Sequence, residues 1–169
     1  MTTISAPIAA PGPALPANEP RIGWQTFEQA VPGASDALRS LSRAVADAGL
    51  EHRLAELVKV RVSQMNGCAF CLHLHLNWAR KAGVPDSQLD MLAVWHEARG
   101  FGPRERAALA WAEALTRMER SPVDDATYAA AADAFTPSEL AALTTAIAAI
   151  NAWNRIAGAL RFMPVTAQG

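Results

Sequence analysis

Apolar residues recur every three or four positions along most of this chain, and the breaks fall on Gly, Pro and capping residues. That period marks helices with one face turned to a core. Residues 24–31 form a short run stopped by Pro32-Gly33. Ser35 is placed as the N-cap of a helix carrying Leu38, Leu41 and Val45, with Gly49 as its stop. Leu54, Leu57, Val58 and Val62 mark the next helix, which Asn66-Gly67 interrupts. A helix over about 67–82 ends at Gly83, and another opens near Asp86 with Leu89, Leu92, Ala93 and His96 on one side. Gly100, Gly102 and Pro103 precede a run over 104–118 bearing Leu109, Trp111, Leu115 and Met118. An alanine-rich helix with Tyr128 follows Pro122. Thr136-Pro137-Ser138-Glu139 then has the form of a capping box opening a last helix to about Phe162. No alternating strand pattern of useful length occurs, so the expected fold class is all-α, a compact helical bundle.

Composition and charge narrow the setting. No charge-free apolar stretch reaches the roughly 18–20 residues of a membrane span, and a net charge of −1 gives no footprint for nucleic acid or anionic lipid. Neither a nucleic acid nor a membrane is an expected partner. Residues 1–20 are rich in Ala and Pro, lack the basic and apolar regions of a signal peptide, and read as a flexible arm. Residues 21–169 read as a single helical domain, and the default compartment is the cytoplasm. There a lone Cys pair points to catalysis or metal binding rather than a structural staple.

The segment Asn66-Gly67-Cys68-Ala69-Phe70-Cys71-Leu72-His73-Leu74-His75 carries that pair. Relative to Cys68, a helix places Cys71 near 300° and His75 near 340°, within about 60° of one another, while His73 falls near 140°, off that face. Residues three apart on a helix lie roughly 5 Å apart at Cα, inside the disulfide range. With Asn66 as N-cap, Cys68 would stand in the first turn, where free N–H groups and the helix dipole favour a thiolate. His75, one turn after Cys71, could hold or relay its proton. Two other readings stay open: buried thiols that pack as small hydrophobes, and a zinc site completed by one further ligand. Against zinc, the chain has no second CxxC and no HxxxH pair, and His52 and His96 stand apart.

These residues resemble the AhpD-like alkylhydroperoxidases of the carboxymuconolactone decarboxylase superfamily, whose members carry a glutamate, then CxxC, then a histidine four residues beyond the second cysteine. Glu56 stands twelve residues before Cys68, and the resemblance runs over 54–94, extending to 105–116 and 151–155. It implies an AhpD-like helical fold and a thiol peroxidase that needs no cofactor or metal. Cys71 would be the peroxidatic thiolate. Cys68 would be the more exposed resolving partner, exchanging with an external dithiol or disulfide-exchange reductant. Glu56 would accept the proton and His75 would relay it. The resemblance further implies a hydroperoxide substrate and a homo-oligomer: dimer, trimer or hexamer. Phe70 occupies the place of a second histidine found in the best-known members, so no relay can run through that side chain.

By its neighbours alone, Glu56 is a helical residue three before Lys59, the usual pattern of a solvated face. Burial beside His75 would instead raise its pKa toward that of a base. Decarboxylation of a lactone acid fits the superfamily but not the paired thiols. A non-enzymatic redox sensor or scaffold is the remaining alternative. Trp78, Trp95, Trp111 and Trp153 are expected in the core more than in a pocket. Asn151, Asn154 and Arg155 are expected to cap a helix or bridge subunits, and Arg104, Glu105 and Arg106 to form an exposed first turn.

Overall fold

The structure, a computed structural model, describes residues 19–164. The expected arm over 1–20 thus lies almost wholly outside the described residues. The elements are α1 (Trp24–Ala30), α2 (Ala34–Asp47), α3 (His52–Met65), α4 (Ala69–Lys81), α5 (Asp86–Met91), a 3₁₀ turn (Leu92–Val94), α6 (Pro103–Thr116), α7 (Asp125–Ala134) and α8 (Pro137–Leu160). Among the described residues there is no strand, and the fold is the expected all-α bundle. No helix among them is long and apolar enough to cross a membrane.

Helix α3 is the axis of the bundle, packed against α4, α6 and α8. It is buried over most of its length, Leu54 to Val58, Val60, Val62 and Ser63 included, while Arg53, Lys59 and Arg61 are half-buried and paired with carboxylates. Leu54, Ala55, Val58 and Val62 join the larger cluster with α8 residues such as Leu143 and Ile147. Leu57 and Val60 point into a second cluster with Ala79, Leu92, Trp95 and Leu109. Each fully buried aliphatic side chain contributes about 1.5–3 kcal/mol relative to exposure, so α3 is held from two sides. That matters for function because the buried Glu56 rides on this helix.

Several boundaries differ from expectation. Gly33, at φ +81°, is the N-cap of α2, and Ser35 lies inside the helix with its hydroxyl donating to the Glu28 carboxylate. The chain must reverse sharply after Pro32, and Gly takes the left-handed conformation that Ser would resist. Helix α5 ends at Met91, and the 3₁₀ turn shifts the period to three. Leu92, Trp95 and Ala98 become the buried residues, while Ala93 and His96 turn outward. Arg104, Glu105 and Arg106 are half-buried ties. Arg104 pairs with Glu139 at 2.6 Å, Glu105 with Arg53 at 2.6 Å, and Arg106 donates to the carbonyls of Trp95, His96, Ala98 and Phe101. The Thr136–Glu139 capping box is present as read, with Pro137 in the first turn of α8.

Candidate active site

The α3–α4 junction builds the thiol pair. Asn66 ends α3 as its C-cap, with its N–H bonded to the Val62 carbonyl at 3.0 Å, and Gly67 turns the chain at φ +64°. Cys68 follows in an extended conformation and is itself the N-cap of α4, its Sγ accepting from the Cys71 backbone N–H at 3.3 Å. This corrects the expected Asn66 cap. A sulfur takes the place of the usual capping oxygen, so the helix terminus acts on the thiol directly.

Four groups hold charge on Cys68. The Cys71 thiol donates to it first of all; burial opposes; the Cys71 and Phe70 backbone N–H groups and the Asn154 side chain add to the pull, and its pKa falls from 9.0 to about 7. Cys71 moves the other way. Its proton is held by Cys68, and burial and the neighbouring thiolate both oppose a second charge, so its pKa is raised. Two thiols this close cannot both ionise easily. Cys68 is 2 % and Cys71 3 % exposed, so Cys68 is not the more exposed partner that the resemblance implied. Cys71, not Cys68, lines the adjoining cavity.

The carboxylate comes from α3 and the imidazole from α4, one turn after Cys71, and His75 lines the same cavity as Cys71. Glu56, 1 % exposed, places Oε2 at 2.7 Å from His75 Nδ1 and Oε1 at 2.8 Å from Lys59 Nζ. Burial alone would raise the Glu56 pKa, but the His75 and Lys59 hydrogen bonds and charges outweigh it and hold the pKa below the usual value. The expectation of a raised carboxyl pKa is thereby reversed: the buried environment is cationic, not apolar. An ionised carboxylate only accepts, so His75 Nδ1 carries the hydrogen, and Nε2 is the ring nitrogen left to exchange a proton. Trp78 meets the His75 ring edge-on at 5.1 Å. His73 is apart from this group, beside Asn77 at 3.3 Å, as its helical phase requires.

Asn154 is a residue that sequence reasoning undervalued. It is 4 % exposed on α8, donates Nδ2 to Ser63 Oγ at 3.2 Å and accepts from Asn66 Nδ2 at 2.9 Å, and its amide draws the pKa of both thiols downward. A polar residue inside the apolar 140–157 stretch was the available signal, because a buried amide must find partners. Asn151 joins the same network through Asn66 and Thr116, and Arg155 bonds back to Asn151.

A cavity of about 830 Å³ opens beside Cys71 and His75, within the size range of small-molecule sites. Phe70, Trp24, Trp153 and Phe162 form its aromatic wall, with Trp24 to Phe162 at 5.4 Å and Phe70 to Phe162 at 5.7 Å. Trp78 also lines it, while Trp95 and Trp111 belong to the core as expected. Among the described residues, no group of three or more His, Cys, Asp or Glu side chains could hold a metal ion.

Comparison with known proteins places this geometry. Residues 29–114 match the model of the carboxymuconolactone decarboxylase family. The uncharacterised protein YdfG of Bacillus subtilis is 31% identical over 135 residues, 80% of this chain and 92% of its own. A crystal structure from Agrobacterium tumefaciens, of a protein of unknown function proposed to be the antioxidant-defence protein AhpD, superposes with a TM-score of 0.82 at 34% identity. That match covers 88% of this chain and all (100%) of the other. The debrominase Bmp8, in complex with a tribromopyrrole, shares the fold at a TM-score of 0.69 and 18% identity, over 80% of this chain and 73% of that one. The fold therefore serves enzymes. By the family match, the Bacillus relative and the Agrobacterium structure together, the chain belongs to the carboxymuconolactone decarboxylase family, as one of its AhpD-like members.

Proposed function

We propose that this protein is a thiol peroxidase that reduces organic hydroperoxides through a Cys68/Cys71 dithiol–disulfide cycle. The observation that carries the reading is the asymmetric thiol pair, with Cys68 held as a thiolate on the α4 terminus and Cys71 facing a cavity shared with His75. Because the pair carries one charge at a time, the Cys71 proton passes to Cys68 as the Cys71 sulfur attacks the terminal oxygen of the hydroperoxide, and Cys68 hands it on to His75, with Glu56 balancing the imidazolium. The O–O bond breaks, the alkoxide takes up a proton to leave as the alcohol, and Cys71 becomes a sulfenic acid. The Cys68 thiolate then attacks that sulfur, forming the disulfide and expelling hydroxide, which is protonated to water.

An external dithiol closes the cycle. It enters by the cavity at Cys71 and releases Cys68, whose low pKa makes it the better leaving group; two electrons and two protons return to the pair and the reductant leaves as a disulfide. This entry route differs from exchange at an exposed Cys68, since Cys68 is buried and does not line the cavity. A cycle that rests in the dithiol form suits the reducing cytoplasm. Exposed Met91, Val94, Met118 and Tyr128 are faces a homo-oligomer would cover, whether dimer, trimer or hexamer. The test is steady-state hydroperoxide consumption with a dithiol reductant. Wild type turns over, Cys68→Ser and Cys71→Ser do not, and equal rates in all three proteins would overturn the proposal.

A further inference from the structure

The lining of the cavity combines two kinds of side chain. Trp24, Phe70, Trp153 and Phe162 give it an aromatic surface. Arg39 and Arg43 of α2 and Lys59 of α3 line it as well, the Arg39 guanidinium over the Trp24 ring, and among the described residues no Asp or Glu lines it. Lys59 is already paired with Glu56 at 2.8 Å. The two arginines are not so committed. Arg39 reaches only the exposed Asp36, at 3.6 Å, and lies 5.7 Å from the Trp24 ring. Arg43 donates to the Ser40 hydroxyl at 2.7 Å and pairs with no carboxylate among the described residues.

Arginines four apart on one helix face repel each other, and among the described residues no carboxylate is shared between them. A guanidinium pair at the rim of an apolar well matches an amphipathic anion, apolar body inward and carboxylate outward. From this we infer that the preferred substrate is an organic hydroperoxide that bears a carboxylate, which Arg39 and Arg43 bind while the apolar body lies against the aromatic wall. The inference rests on the peroxidase reading for its reactive group. The carboxylate site itself stands on the cavity alone.

Two measurements separate the two claims. In the first, binding of dodecanoate and of methyl dodecanoate is followed by tryptophan fluorescence, which Trp24 and Trp153 report from inside the cavity. The acid binds wild type about tenfold more tightly than the ester, and the Arg39→Gln/Arg43→Gln protein binds both alike; solvent-exposed ion pairs of this kind are each worth up to about fivefold. Raising the salt concentration narrows the difference in wild type. In the second, kcat/KM is compared for linoleic acid hydroperoxide and its methyl ester. The acid is preferred by about tenfold through KM, and the ratio falls toward one in the double variant.

Equal binding of acid and ester by wild type would overturn the inference, as would a double variant that keeps the preference. A double variant that changes oligomeric state on size-exclusion chromatography while the preference persists would assign the arginines to an interface between copies, which also overturns it. Selective carboxylate binding with no consumption of any hydroperoxide would leave this site standing and remove the peroxidase reading instead.

Discussion

The Cys68–Cys71 pair makes a quantitative claim about one hydrogen bond. In the native protein the Cys68 pKa is about 7, against an ordinary 9.0, and the first cause of that shift is the Cys71 thiol donating to it. Two units correspond to about 2.7 kcal/mol in favour of the thiolate. A hydrogen bond to a charged group is worth about 1.5–3 kcal/mol when its donor is deleted, roughly one to two pKa units. Cys71→Ala should therefore raise the Cys68 pKa by one to two units, roughly to between 8 and 9. Cys71→Ser keeps a hydroxyl donor in the same place and should hold the pKa near that of wild type. The capping N–H of residue 71 survives in both variants, so the comparison isolates the side chain. The assay is the ultraviolet absorbance of the thiolate as a function of pH, checked by the pH dependence of alkylation read by mass spectrometry. Wild type should show one thiolate titrating near neutrality, since Cys71 is pushed upward. Cys68 titrating at the same pH in the alanine and serine variants would refute the reasoning, and so would an ordinary pKa in wild type.

Three further outcomes follow from the same geometry. Glu56→Gln removes the anion that balances a protonated His75 and should lower kcat/KM for hydroperoxide on the order of a hundredfold; a melting curve of the variant separates this from the stability lost when Lys59 is left unpaired. Asn154→Ala removes a donor to both thiols and should raise the Cys68 pKa, with Asn154→Ser, which retains a hydroxyl, giving a smaller rise on the same titration. Glu113, bonded to Trp95, Arg61, Arg117 and His96, has its pKa lowered from 4.5 to about 2. A depressed carboxyl contributes stability above its unfolded pKa and loses it as pH falls toward the folded one. Between pH 4.5 and about 2, some 3 kcal/mol should be lost, and Glu113→Gln should flatten that part of the denaturation profile.

Much of this was legible in the residues themselves. The period of apolar positions located the helices, because burial of one face is what holds them, and helical phase selected His75 over His73. The missed boundaries are places where tertiary geometry overrides a capping preference. Asn66 has the chemistry of an N-cap, yet α3 continues to it, and its side chain is drawn to Asn151 and Asn154 on α8. Ser35 gave way to Gly33 because the turn demanded a positive φ. The sign of the Glu56 shift was illegible for a different reason. The resemblance implies that Glu56 meets His75, but only the packing of α3 on α4 shows that His75 reaches the carboxylate while Lys59 holds its other oxygen in a buried site. The cavity drew on five separated segments, and Trp24 and Phe162, far apart in sequence, meet only in the folded chain.

The central claim is that these two thiols perform a two-electron reduction of a hydroperoxide in succession. A single-turnover experiment tests it most directly: reduced protein is mixed with one equivalent of an organic hydroperoxide, quenched with an alkylating agent, and mapped by peptide mass. Wild type should yield the Cys68–Cys71 disulfide and one equivalent of the alcohol, and Cys68→Ser should trap a sulfenic acid on Cys71. Both cysteines recovered alkylated with the hydroperoxide intact, or the sulfenic acid found on Cys68 in the Cys71→Ser protein at the wild-type rate, would contradict it.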